Sequence, residues 1–106
     1  MNTQQQLQIC ARAATEAVYS FCQITSTADF PSWEKASSAD REVFCSLSTA
    51  IIGGASLSEI LNRVYPEKNY PENHSDISLL SRQTYRIFYD VVLVIYRASL
   101  PFLVTP

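Results

Sequence analysis

The chain has 106 residues, 47% of them hydrophobic and 17% charged, against a charged fraction of about 25% in an average soluble domain. Eight Lys and Arg against ten Asp and Glu leave a net charge of -2, which excludes the bulk attraction to polyphosphate on which generic nucleic-acid binding depends. The glycines are Gly53 and Gly54, side by side, and the one histidine is His74; a glycine-rich phosphate loop and a multi-histidine metal site are both excluded, so no catalytic residue, cofactor or metal ligand is expected.

This length suits one domain over residues 1–106. Cys10, Cys22 and Cys45 are odd in number and lack a Cys-x-x-Cys spacing, which points to reduced thiols in the cytoplasm. The Gln-rich start, Met1 to Gln8, lacks the pattern of a secretory signal. Val91 to Val104 is the most apolar stretch, but Arg97 and Pro101 interrupt it and it is shorter than the roughly 20 residues a spanning helix needs. It reads as a buried helix followed by an extended tail over residues 101–106, and no membrane association is expected.

Taken in chain order, Leu7, Cys10, Ala11, Ala14, Val18, Phe21 and Cys22 recur at three- and four-residue spacing and predict a helix over about 3–25. Its stripe is small at Ala11 and Ala14, which lets another helix approach there. Arg12, Glu16, Tyr19 and Gln23 take the opposite face, with Arg12 and Glu16 spaced for a surface ion pair. Pro31 disfavours helix at Phe30, so a loop intervenes, with Ser32 capping a short turn through Trp33 to Ala36. Ser38, with Asp40 near the positive helix end, starts a second helix that runs to about Ile52 with Val43, Phe44, Leu47, Ala50 and Ile51 inward.

Gly53-Gly54 supplies a left-handed stop. Ser56 and Glu59 in "SLSE" have capping-box spacing and open a short helix with Leu57, Ile60, Leu61 and Val64 on its apolar side. The segment from Tyr65 to Ser75, "YPEKNYPENHS", reads as the main surface loop and holds His74, expected to be exposed or capping. A long helix follows from Asp76 to about Ser99, with Leu80, Ile87, Val91, Val94, Ile95 and Ala98 on one face and Phe88, Val92 and Leu93 widening it. A helix this broadly apolar is either central or part of an oligomer interface.

On that last helix Arg82, Tyr85, Arg86 and Tyr89 share about a quarter of the circumference. Guanidinium alternating with aromatic ring suits a nucleotide or an acidic peptide, and it equally suits an amphipathic border whose polar tips reach water. Trp33 either plugs the core or offers a stacking platform. Arg12 and Tyr19 of the first helix line a cleft if the polar faces of the two long helices meet.

Three stretches carry a resemblance to the ryanodine-receptor domain family, whose small stand-alone members occur in phages and bacteria. "TEAVYSFC" has Glu16, Phe21 and Cys22 where that family has an acidic residue followed by an aromatic and a Cys. "PSWEKASSADRE" is similar to its Pro-x-Trp-Glu-x-Ala turn entering a helix with a basic-acidic pair, here Pro31, Trp33, Glu34, Ala36, Arg41 and Glu42. "LSRQTYRIFYDVV" resembles its closing helix. The chain departs from the pattern at Thr15 and Tyr19, where a His and a basic residue are common. The resemblance implies a helical, non-catalytic recognition module with nucleotide-like ligands, and phage-borne members acting against host-defence signalling.

These readings converge on an all-α fold, a compact bundle of two long and two or three short helices. The expected function is a non-enzymatic binding module that sequesters a nucleotide-derived signalling ligand through Arg82, Tyr85, Arg86, Tyr89, Arg12, Tyr19, Trp33 and Arg41. The alternative is a protein-protein inhibitor or homo-oligomeric assembly subunit, with a host protein or its own copies as partner, acting through the apolar C-terminal helix.

Overall fold

The computed structural model describes residues 3–26, 30–64 and 79–102. These form α1 (Thr3–Thr25), α2 (Ser38–Ile52), α3 (Leu57–Val64) and α4 (Leu79–Ser99), closed by a 3-10 turn at Leu100–Phe102, with no strand among the described residues. The fold is all-α, two long helices and two shorter ones, as the apolar periodicity predicts. The expected loop with His74 lies outside the described residues, as do residues 76–78 and 103–106. Leu100–Phe102 is helical where an extended tail was expected to begin. Among the described residues no helix is long and apolar enough to cross a membrane.

Helices α1 and α4 form the most extensive pair, and the Gln6 amide donates to Ser99 Oγ at 2.7 Å. That bond brings the start of α1 to the end of α4, so the two run antiparallel. Cys10, Ala11, Ala14, Thr15 and Val18 of α1 are fully buried. Four of these five side chains are small, and the separation of two packed helices is set by the side chains between them. The Thr15 hydroxyl turns back on the Ala11 carbonyl (2.7 Å), and Ser48 of α2 does the same to Phe44 (2.9 Å), so neither hydroxyl is buried without a partner.

Helix α4 turns Thr84, Phe88 and Val92 into this core. The stripe expected on one face was Leu80, Ile87, Val91, Val94, Ile95 and Ala98, widened by Phe88, Val92 and Leu93; the Leu80 side chain lies outside the described residues, and the buried face centres about a fifth of a turn from the other five. Ile87, Val91 and Ile95 pack on the flank of the core, whereas Val94 is 63% exposed and Ala98 is exposed. The reason is the ring of Phe88, which is fully buried and meets Phe44 of α2 at 5.9 Å between centroids. One aromatic buries more surface than a Val or an Ala and sets the rotation of the helix. Phe30, ahead of α2, continues the chain of rings by meeting Phe44 at 5.5 Å.

In α2, Phe44, Leu47 and Ile51 are buried as expected, while Val43 is 51% exposed and does not belong to the inward face. The helix starts at Ser38, as expected, and its N-cap is the preceding Ser37. Ser37 has the extended backbone a cap requires, and its Oγ accepts the Asp40 N–H at 3.1 Å. At the other end the Gly54 N–H reaches the Ile51 carbonyl (3.1 Å) and the Ala55 N–H the Ala50 carbonyl (2.9 Å). This Schellman pattern needs a left-handed residue at Gly54, with φ of 104°, and leaves Gly53 helical. The chain then enters α3 through Ser56, whose Oγ accepts the Glu59 N–H at 3.2 Å and donates to the Glu59 carboxylate at 3.5 Å. Ile60 and Leu61 of α3 are fully buried, and Tyr85 of α4 packs against Leu61.

Candidate functional site: a groove between the Trp33 turn and α1

Pro31 keeps the segment ahead of α2 out of a helix, and the chain makes one tight turn instead. The Ala36 N–H reaches the carbonyls of Ser32 (3.0 Å) and Trp33 (3.3 Å). The Lys35 N–H approaches Ser32 Oγ at 3.4 Å, the cap expected there. Both long neighbours hold this turn. From α1, Glu16 Oε1 accepts the Trp33 N–H at 2.8 Å. From α2, Arg41 Nε donates to the Trp33 carbonyl at 2.9 Å and Nη2 to the Glu34 carbonyl at 3.1 Å. The same guanidinium stands 5.2 Å from the centre of the indole ring, within cation-π range.

These bonds reassign two residues. Arg41, expected to contact a ligand, spends its fork on backbone carbonyls and braces the turn. Glu16, spaced for an ion pair with Arg12, is engaged by Trp33 instead, and Arg12 is exposed with no ion pair or hydrogen bond among the described residues. Trp33 is half-buried. It packs against the core, and it also walls an open groove of about 380 Å³ with Gln5, Gln8, Ile9 and Arg12. Those four residues stand at i, i+3, i+4 and i+7, one face of α1 directed away from the core. Ile9 is 46% exposed there, an aliphatic side chain between two amides and a guanidinium.

The groove thus offers a flat ring, an aliphatic patch, two neutral amides and one cation that has no partner among the described residues. Gln5, Gln8 and Ile9 were missed by sequence reasoning. The signal was present in the isoleucine interrupting an otherwise polar helical face, but the groove needs the opposing Trp33 turn to exist.

The remaining candidates do not join it. Tyr19 is half-buried on α1 and is not among the groove's lining residues. On α4, Arg86 forms an exposed ion pair with Asp90 at 3.2 Å, an ordinary i, i+4 contact. Tyr85 and Tyr89 pack along the edge of the core, Tyr85 also against α3. Arg82 Nε is shielded from solvent and has no hydrogen-bond partner among the described residues. The four residues share a helix face, as predicted, but none of them lines the Trp33 groove.

Burial pushes the thiols of Cys10, Cys22 and Cys45 above their ordinary range, which favours the protonated form. Among the described residues no three His, Cys, Asp or Glu side chains gather in a way that could hold a metal ion. No protein-family model, curated protein or solved structure matches this chain.

Proposed function

We propose that the chain is a non-catalytic binding module that captures a nucleotide-derived ligand in the Trp33 groove. The observation carrying this reading is that exposed Arg12, which has no ion pair or hydrogen bond among the described residues, lines one concave site together with Trp33. A guanidinium binds phosphate through charge-assisted, often bidentate hydrogen bonds, and an indole face accepts a stacked base. The resemblance of "PSWEKASSADRE" to the ryanodine-receptor domain turn centres on this same segment and supports a recognition role. Membership of that family, and a phage-borne role in sequestering a host-defence signal inside the cell, complete the proposal.

Trp33 is the sole tryptophan, so its fluorescence reports from the groove. Titration with adenosine monophosphate is expected to quench it saturably, more weakly at high salt, and Arg12→Ala to weaken binding about tenfold, the worth of one charge-assisted contact. Arg12 is exposed, so the variant keeps the fold, and an unchanged affinity sinks the assignment.

A second reading has its own observation. Val94 and Leu100 are 63% and 46% exposed at the end of α4, apolar surface that the other described helices leave uncovered. Self-association through this end makes the chain an assembly subunit. Light scattering during gel filtration tests it: an oligomer that Val94→Asp converts to monomer supports the reading, and a parent chain that is already monomeric removes it.

A further inference from the structure

We infer that Glu16 is a positioning residue that fixes where Trp33 stands relative to Arg12, and so selects ligands by the separation of their phosphate from their base; the inference rests on the nucleotide-capture reading and specifies the ligand's geometry. Glu16 is not among the groove's lining residues, so it acts through Trp33 and not on the ligand. The two groups assigned to the ligand come from different segments: Arg12 belongs to α1, and Trp33 to the turn ahead of α2. Arg41 ties that turn to α2 through the carbonyls of Trp33 and Glu34. Glu16 ties it to α1, because its Oε1 accepts the Trp33 N–H at 2.8 Å. Glu16 and Arg12 are four residues apart on one rigid helix, about 6 Å along its axis. The hydrogen bond therefore anchors the turn that carries the ring to the helix that carries the cation.

Both main-chain polar groups of Trp33 are thus held by charged side chains, the N–H from α1 and the carbonyl from α2. A turn held on both sides leaves the ring little freedom to follow a ligand whose phosphate lies at another separation. A site supported in this way spends less ordering entropy on a ligand that matches it and discriminates against one that does not. Positioning needs only an acceptor oxygen at Glu16, so two substitutions isolate it. Glu16→Gln removes the charge and keeps an oxygen for the Trp33 N–H, whereas Glu16→Met removes both and keeps a long, helix-favouring side chain. Arg41 keeps its charge in each.

The experiment is a Trp33 fluorescence titration of the full chain with adenosine 5′-monophosphate and adenosine 3′-monophosphate, which share base and charge and differ in where the phosphate stands relative to the base. The parent chain is expected to bind one isomer at least about threefold more tightly than the other, and Glu16→Gln to keep that preference. Glu16→Met is expected to bind the preferred isomer about threefold to tenfold more weakly than Glu16→Gln does, with the ratio between isomers falling toward one. Equal binding of the two isomers by the parent chain overturns the inference and leaves the capture reading standing. So does a Glu16→Met variant that keeps the ratio found for Glu16→Gln, which marks the bond as purely structural. Absence of quenching by either isomer overturns both. If Glu16→Met does not fold, Glu16→Asp, which keeps the charge and is one methylene too short, is compared with the parent chain under the same expectation.

Discussion

Replacing Arg41 by Ala removes the brace of the Trp33 turn, and its cost follows from three contacts. The bond from Nε to the Trp33 carbonyl is partly shielded and worth about 1.5 kcal/mol, the low end for a hydrogen bond to a charged group. The bond from Nη2 to the Glu34 carbonyl is exposed and contributes about 0.5 kcal/mol. The stack on the indole, half open to water, adds about 0.5 kcal/mol. Releasing the long arginine side chain returns up to about 1 kcal/mol of rotamer entropy, leaving a net loss of about 1.5–2.5 kcal/mol. With a urea dependence of about 1–2 kcal/mol per molar for a chain this size, the unfolding midpoint falls by about 1 M.

Urea unfolding followed by far-ultraviolet circular dichroism and by Trp33 emission checks this. The emission of the folded variant is expected at longer wavelength, because the indole loses its cover. Arg41→Lys is expected to recover less than half the loss, since one ammonium cannot span both carbonyls. An Arg41→Ala variant with parent midpoint and parent emission would refute the assignment of Arg41 as a brace.

Phe88→Ala is expected to cost about 3–5 kcal/mol, because the ring is fully buried between α1 and α2 and its removal leaves a cavity; chemical denaturation reads this, and a loss under 1 kcal/mol contradicts the inward orientation of α4. The cysteines give a pH prediction. Their thiol values are raised by burial in the folded chain, so full stability holds below the ordinary thiol range and declines as pH climbs through that range toward the raised values. Disulfide-exchange reagents at pH 8 are expected to label the native chain far more slowly than the urea-unfolded one, and equal rates contradict the burial.

The placement of the helices was legible because it rests on local chemistry. The small stripe of α1, the Gly54 stop and the Ser56–Glu59 cap are each set by residues within one or two turns, and the chain carries them whatever it packs against. The start of α2 at Ser38 was legible too, while the capping hydroxyl belongs to the preceding Ser37, whose backbone is extended. The rotation of α4 was legible only in part, since Phe88 and Val92 were read as widening the apolar face and not as the centre of the helix's buried side. Its aliphatic residues outnumber its inward aromatic, and counting cannot weigh the Phe44–Phe88 contact that orients the helix.

The candidate site divides along the same line. Trp33, Arg41 and Arg12 were visible as chemistry-bearing side chains, but their roles depended on partners far away in sequence. Glu16 and Trp33 are 17 residues apart, and Glu16 makes this hydrogen bond in place of the ion pair with Arg12 that the spacing suggests. Arg41 reaches back 8 residues to a carbonyl, a group present at every position and therefore silent in a sequence. Periodicity, caps and composition determined that this chain is a helical bundle, since that property follows from near neighbours and from the drive to remove apolar surface from water. Only the tertiary structure decided that Arg41 braces the Trp33 turn and Arg12 lines the groove, because hydrogen-bond partners are chosen by proximity in space after the helices have packed.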